Sequence, residues 1–482
     1  MKRYIIVLLI LLSYGLAGCE QTIEPDGPET LTIYSINDFH GDVLDEDGNF
    51  SVIGNYLMNQ KQTNPENTVI ISVGDMFQGT AISNMSNGKV VVEMMNEIGF
   101  DAMTIGNHEF DWGIEVLSSY RDGVGFDADF PFLSANIAEK ATEELVDWAE
   151  PYAIVEKGDI KVGIIGLIGQ YLTSSISPSI IEPFEFLPEF SIARELAYEL
   201  RTEHDVDVVI LSIHSNTTYD NQAYANLTGD YQIDAVLNGH THSLYEGELE
   251  GTDQIAMPYV QSGSSGSHIG KITLSLDENN VVTQGQAMNL TVQANMAAEN
   301  AVLSEIMNRY NEEVELIAGE VIGVAGITIE RGLGTEWAAD VIKLATNQDI
   351  GLINMGGIRS SGFPIYQNDN ITVGDIWEIM PFDNYVKTVK VKAEDIVNVA
   401  YSGMQLSLNA YISGGFLYID HEMIDPDTYV SVATIDYVFD NPSYPFLTGI
   451  DPFATGVLFR DYLILNIREL CQDGSKWMGQ AS

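Results

Sequence analysis

The stretch Ala102-Met103-Thr104-Ile105-Gly106-Asn107-His108-Glu109-Phe110-Asp111 runs from a short apolar segment straight into a block of metal-ligating and acid–base side chains. The same order recurs through the first half of the chain. Residues 31–36 precede Asp38-Phe39-His40, and residues 69–73 precede Gly74-Asp75. Residues 208–213 precede His214, and residues 235–237 precede Gly239-His240-Thr241-His242. Five of the eight histidines fall in these blocks, so histidine is concentrated in one kind of context.

From residue 31 to about 276, apolar strand-like runs alternate with amphipathic helical ones, such as 90–98 and 192–201. That is the pattern of an α/β layered domain. In such sheets ligands gather beyond the carboxyl ends of strands, so blocks dispersed in sequence can converge in space. A helical stretch over 297–317 follows, and then a second set of strands (350–353, 386–391, 429–433) and helices (335–346, 393–404). A length of 482 residues exceeds what one hydrophobic core usually serves. The expected organisation is therefore a first domain over 31–294, a helical linker or hinge over 295–320, and a second α/β domain over 321–482.

Composition narrows the class. A hydrophobic content of 45% fits a folded globular chain, and 21 Lys+Arg against 70 Asp+Glu give a formal charge of −49. Such a surface repels nucleic-acid backbones, which argues against binding of a nucleic-acid polymer. An anionic substrate must instead be drawn in by metal ions or a few placed arginines. Residues 1–19 differ in composition: Lys2 and Arg3 precede an apolar run too short for a membrane span. Leu16-Ala17-Gly18-Cys19 resembles the bacterial lipobox, so Cys19 is the expected lipidation site, with residues 20–30 as a tether. The chain is then expected to be exported and lipid-anchored at a bacterial membrane, facing the periplasm or the cell surface. With Cys19 lipidated, only Cys471 remains, which leaves no intramolecular disulfide.

Asp38 and His40 read as alternate residues of an extended chain that face one way and grip a single ion. Asp75 has two oxygens and can bridge two cations. Asn107 offers a neutral carbonyl oxygen, His214 closes a strand, and His240 and His242 repeat the i, i+2 relation. Nitrogen and oxygen donors of this kind suit two divalent transition-metal ions, Mn, Zn, Co or Fe, and paired ions make a phosphoester-cleaving centre. Taken singly, each block has a plain structural explanation; the conjunction carries the inference.

Asp-x-His, Gly-Asp, Gly-Asn-His-Glu-Phe-Asp, His and Gly-His-x-His resemble the motifs of the calcineurin-like metallophosphoesterases. Together with Asn354-Met355-Gly356-Gly357-Ile358-Arg359 downstream, they resemble the 5'-nucleotidase family, which includes bacterial UDP-sugar hydrolases. The resemblance implies a four-layer αββα sandwich followed by an α/β substrate-binding domain. It implies one ion held by Asp38, His40, Asp75 and His242, and another by Asp75, Asn107, His214 and His240. It places His108 beside the scissile phosphate, oriented by Asp111, with the imidazole stabilising charge or protonating the leaving oxygen. Arg359, in a loop opened by Asn354, Gly356 and Gly357, offers a planar fork for phosphate. Arg331 resembles a second phosphate-facing arginine, with a surface salt bridge as the alternative. Met355 stands where the family form has glycine and would crowd that loop. Phe382 matches one of two aromatics that sandwich the base. The Gly-Gly-Asp-Gly run that normally precedes the second is absent, which leaves Tyr444, with Phe446 the alternate.

The resemblance implies release of phosphate from extracytoplasmic nucleotides for nucleoside and phosphate salvage. The alternatives are a 2',3'-cyclic phosphodiesterase/3'-nucleotidase, a thiosulfohydrolase, or a non-catalytic surface binding protein.

Overall fold

Along the strand Glu29–Ile36 the side chains alternate between two apolar layers. Leu31 and Ile33 join a core between two sheets, while Tyr34 and Ile36 join a core under helices. The computed structural model describes residues 29–44, 50–124, 126–215, 218–252, 255–293 and 296–482. Segment 1–19 with Cys19, all but the last two residues of the tether, and residues 294–295 at the expected boundary lie outside the described residues.

Two six-stranded sheets make the middle of the first unit. The first runs Val282–Thr291, His268–Leu276, Glu29–Ile36, Thr68–Ser72, Ala102–Thr104 and Phe132–Leu133; its last four strands are parallel. The second runs Leu244–Glu250, Ala256–Ser262, Ala235–Asn238, Val208–His214, Ile160–Ile168 and Tyr152–Lys157, parallel in its middle and antiparallel at both edges. Between them pack Val69, Ile71 and Val73 against Val162, Ile164, Ile210 and Leu237, all fully buried. Each such side chain contributes about 1.5–3 kcal/mol relative to exposure. Thr104 Oγ1 donates to Ser212 Oγ across the interface at 2.5 Å.

Helices cover both outer faces. Lys89–Ile98 buries Val90, Val91, Met94, Met95 and Ile98, the i, i+1, i+4, i+5, i+8 pattern of one apolar stripe, against the first sheet. Glu189–Glu203 buries Ala193, Ala197 and Leu200 against the second. The result is the expected αββα sandwich, and its parallel strands all deliver their carboxyl ends to one side.

The helical stretch read over 297–317 is the helix Ala301–Ala318, and it is fastened to the first unit. Leu303, Ile306 and Met307 pack into the core under Phe50–Thr63 and Lys89–Ile98. The Asn300 carboxamide caps it by accepting from the N–H groups of Val302 and Leu303. Arg309 and Tyr310 both donate to Glu93.

The second unit is a five-stranded mixed sheet in the order Met404–Leu406, Ile350–Asn354, Tyr429–Ile435, Tyr385–Lys392, Ile450–Leu458. Helices Arg331–Thr346, Val373–Ile379, Ala393–Ala400 and Phe459–Cys471 surround one core that includes Trp337 packed 4.7 Å from Trp477. One expectation fails here. The helix read over 393–404 stops at Ala400, because Gly403 takes a left-handed φ of 76° and turns the chain into the strand Met404–Leu406. Leu303 lies in close contact with the helix Phe50–Thr63: a Cβ added at Gly54 would collide with Leu303 Cδ1. Leu303→Ala should therefore destabilise the first unit by about 2–5 kcal/mol, read as a lower urea midpoint.

Candidate metal and phosphoester site

The carboxyl ends of five parallel strands bring the seven predicted ligands together. Ligand atoms of Asp38, His40 and His242 lie within 4.8 Å of one another, and so do those of Asp75, His214 and His240. Asn107 joins the second group, its Oδ1 2.8 Å from His240 Nδ1. The backbone does this in an unexpected way. Asp38 and His40 are not alternate residues of an extended strand; their φ values are 50° and 55°. Asp75 (53°), His240 (82°) and His242 (56°) share the left-handed region. That region is disfavoured for side-chain-bearing residues, and Asp and His there mark turns held by their surroundings. Each strand ends, the chain curls tightly, and the side chain is thrown back over the sheet edge.

The donor chemistry fits divalent cations. His40 Nδ1 donates to the Gln78 carbonyl at 2.9 Å and His214 Nδ1 to the Val73 carbonyl at 2.7 Å. These bonds fix the tautomer and aim each Nε2 lone pair inward. His40 Nε2 then faces His242 Nε2 at 3.0 Å, and His214 Nε2 faces Asp75 Oδ2 at 3.1 Å. Buried His214 Nε2 has no hydrogen-bond partner. Pairs this close share either a proton or a cation, and the donor set suits either. Burial pushes Asp38 up to about 7 and keeps His40 well below its usual value, whereas at His214 burial is outweighed by the Asp75 carboxylate and the ring is raised to about 9.

Glu109, a residue of the motif to which sequence reasoning gave no role, holds the centre. It is buried and accepts from the N–H groups of Met76 (2.8 Å), Asp75 (2.9 Å) and Gly106 (2.7 Å). A Cβ added at Gly106 would collide with Asp75 Oδ1, so this position admits no side chain. Three backbone donors converging on one carboxylate could be found only from coordinates. Asn37 acts likewise: its amide donates to Asp38 Oδ2 at 2.6 Å and accepts from Ser262.

His108 sits beside, not within, the two triads. Its backbone N–H donates to Asp75 Oδ1 at 2.8 Å, and its Nδ1 lies 2.7 Å from Asp111 Oδ2. Burial favours the neutral ring, but the Asp111 and Asp75 carboxylates outweigh it and raise the His108 pKa. Arg359 from the second unit donates to His108 Nε2 at 3.2 Å and lies 4.9 Å over the Phe382 ring. Phe382 in turn stacks on His108, centroids 5.9 Å apart and planes at 25°.

These groups border a cavity of about 440 Å³ lined by Asn107, His108, Asp111, His240, Asn354, Gly356, Gly357, Arg359, Phe382 and Tyr437. Three expectations are corrected there. Arg331 does not face the cavity: its guanidinium donates to the carbonyls of Ile358 (2.9 Å) and Met355 (2.8 Å), propping the glycine loop from behind. Met355 turns outward, 44% exposed, and does not crowd the loop. Tyr444 packs on the core of the second unit, edge-on to Phe446, which is fully buried, and neither lines the cavity. The reason is local: Asn441 and Pro445 set up turns that direct both rings inward. Tyr437, directly after the strand Tyr429–Ile435, occupies the wall instead. Its place just past a strand end is the one signal in the sequence that could have marked it.

Comparison with known proteins agrees with this architecture. Residues 31–244 match the model of the calcineurin-like phosphoesterases and residues 328–400 that of the 5'-nucleotidase C-terminal domain. The chain is similar to the endonuclease YhcR of Bacillus subtilis, 28% identical over 423 residues, which are 80% of this chain but 33% of that protein. It is also similar to an apyrase of Tabanus yao, 27% identical over 412 residues, covering 76% of this chain and 72% of the apyrase. The crystal structure of a 5'-nucleotidase precursor from Thermus thermophilus superposes with a TM-score of 0.76 at 22% identity, over 92% of this chain and 97% of that one. Both domain models are thus matched in order, and the chain carries a calcineurin-like phosphoesterase domain followed by a 5'-nucleotidase C-terminal domain, the two-domain architecture of the 5'-nucleotidases.

Proposed function

We propose that this protein is a metal-dependent phosphohydrolase that releases phosphate from nucleotides outside the cytoplasm, for nucleoside and phosphate salvage. The observation that carries the reading is the placement of His108, Asp111 and Arg359 between two ligand triads and an aromatic-walled cavity. Asp38, His40, Asp75 and His242 would hold one divalent ion, and Asp75, Asn107, His214 and His240 the other. Such a pair supplies positive charge at the phosphoryl oxygens and a water activated for attack on phosphorus.

The protein's own groups do the rest. Arg359 binds phosphoryl oxygens and keeps the phosphorus beside His108. Asp111 accepts a hydrogen bond from Nδ1–H and stabilises the doubly protonated ring, whose Nε2–H, once Arg359 has turned to the phosphate, gives its proton to the leaving oxygen. Phe382 and Tyr437 present flat faces for a base, a contact worth roughly 1–3 kcal/mol. The surplus of acidic residues favours small nucleotides over nucleic-acid strands despite the likeness to an endonuclease. The reading includes a domain division at residues 295–320. Attachment of Ala301–Ala318 to the first unit supports a pivot at the end of that helix. It also includes export with lipidation at Cys19, which mass determination of the mature N-terminus tests.

The functional test is phosphate release from AMP, UDP-glucose, a 2',3'-cyclic nucleotide and glycerol 2-phosphate, and nucleotide release from single-stranded DNA, with metal-stripped and Mn-reloaded protein. Metal-restored cleavage with AMP or UDP-glucose preferred is the expected result; DNA as the best substrate, or no hydrolysis in any arm, overturns it. His108→Ala should lower kcat by about 10²–10⁴ while two bound metal equivalents persist by elemental analysis. Loss of metal together with activity would instead make His108 a ligand. Phe382→Leu should raise KM for AMP about tenfold and leave glycerol 2-phosphate hydrolysis within about twofold.

A further inference from the structure

Arg460 opens the last helix, Phe459–Cys471, and is 2% exposed. Its guanidinium carbon lies over the Trp377 ring, 3.6 Å from the centroid. Nη1 donates to the carbonyls of Met380, Pro381 and Phe382, each at 3.3 Å, and Nη2 pairs with the Asp383 carboxylate. Four consecutive residues therefore address one side chain. The segment lies between the helix Val373–Ile379 and the strand Tyr385–Lys392 and belongs to neither, so no ladder occupies those carbonyls. Buried carbonyls must be paired, and three successive ones turn to the same side only where a donor holds them.

The ring at the end of this segment is Phe382, which stacks on His108 and underlies Arg359. We propose that Arg460 is a positioning residue for the substrate's ring: it sets the plane and height of Phe382 without touching substrate. The proposal rests on the reading of Phe382 as the base platform. A planar fork with fixed donors is what the geometry demands, and lysine, a point charge on a flexible stem, cannot reproduce it. Released from Arg460, the segment would turn its carbonyls toward water and tilt Phe382 away from His108, and displacements of an ångström are costly to a preorganised site.

The test is Arg460→Lys in the full-length, Mn-loaded protein, assayed on AMP and on glycerol 2-phosphate, which has no ring to stack. KM for AMP should rise about tenfold with kcat nearly unchanged, and kcat/KM for glycerol 2-phosphate should stay within about twofold. Equilibrium binding of adenosine, measured by calorimetry, reads the same platform without turnover and should weaken by the same factor. Arg460→Gln, which keeps amide donors without the charge, is the second variant and should behave in the same direction. Equal losses on both esters, or an unmoved AMP KM, would overturn the assignment. So would loss of the cooperative melt in both variants, which would make Arg460 a residue of the general core. Phe382→Leu measured in parallel separates the two levels. If it raises the AMP KM and Arg460→Lys does not, the positioning role alone fails; if neither moves it, the platform reading fails with it.

Discussion

Asp75 is the group on which the rest depends. Its carboxylate is buried at the meeting point of both sheets, against His214 Nε2 and the His108 N–H, and its backbone N–H is held by Glu109. Burial raises its pKa, but the His214, His108 and His40 imidazoles outweigh that and hold it well below the ordinary range, so it remains an anion. An anion enclosed in protein is tolerated only when positive charge is supplied around it. The four imidazoles of the two triads, the His108 ring and the ions the triads could hold answer that requirement. The long parallel strands on either side answer a second one, which is rigidity.

Holding five ligand residues in left-handed conformations costs of order 1–3 kcal/mol each. The surrounding bonds explain why they persist. Asp38 accepts from the His240 N–H through both oxygens, at 3.0 and 2.9 Å. His40 and Asp75 are linked by a backbone bond of 3.0 Å, and the Asp38 N–H donates to the Gly74 carbonyl at the same distance. The turns after different strands thus hold one another, and behind them the dry interface between the sheets cannot shift without losing packed area. The arrangement of these candidate ligands is therefore held by the protein's own bonds.

The second unit meets this centre through side chains of its loops. Arg359 and Phe382 touch His108, and Tyr437 donates from its hydroxyl to the Ser174 carbonyl of the first unit at 2.8 Å. The cavity wall facing the two triads is consequently assembled from loops whose form depends on distant anchors. Arg331 props the glycine loop and Arg460 holds the Phe382 segment. In a chain with only 21 basic residues, three arginines are committed to one cleft, one facing the substrate space and two behind its walls.

The sequence by itself determined the layered α/β class, the two-unit organisation and the residues that converge at the strand ends. Continuous apolar runs and short polar blocks are local signals, and the strand-end rule needs no knowledge of neighbours. Asp38, His40, Asp75, Asn107, His214, His240 and His242 were legible for that reason. What only the tertiary structure decided was how these residues are presented and what stands behind them. The left-handed turns at Asp38 and His40 replace an extended pair. Glu109 proved to be the clamp on Asp75, Arg331 a prop, and Tyr437 the aromatic at the cavity in place of Tyr444. Each of these depends on hydrogen bonds or packing between segments far apart in the chain. A buried carbonyl or carboxylate takes whichever donor the fold brings to it, and residue spacing along the chain does not say which that will be.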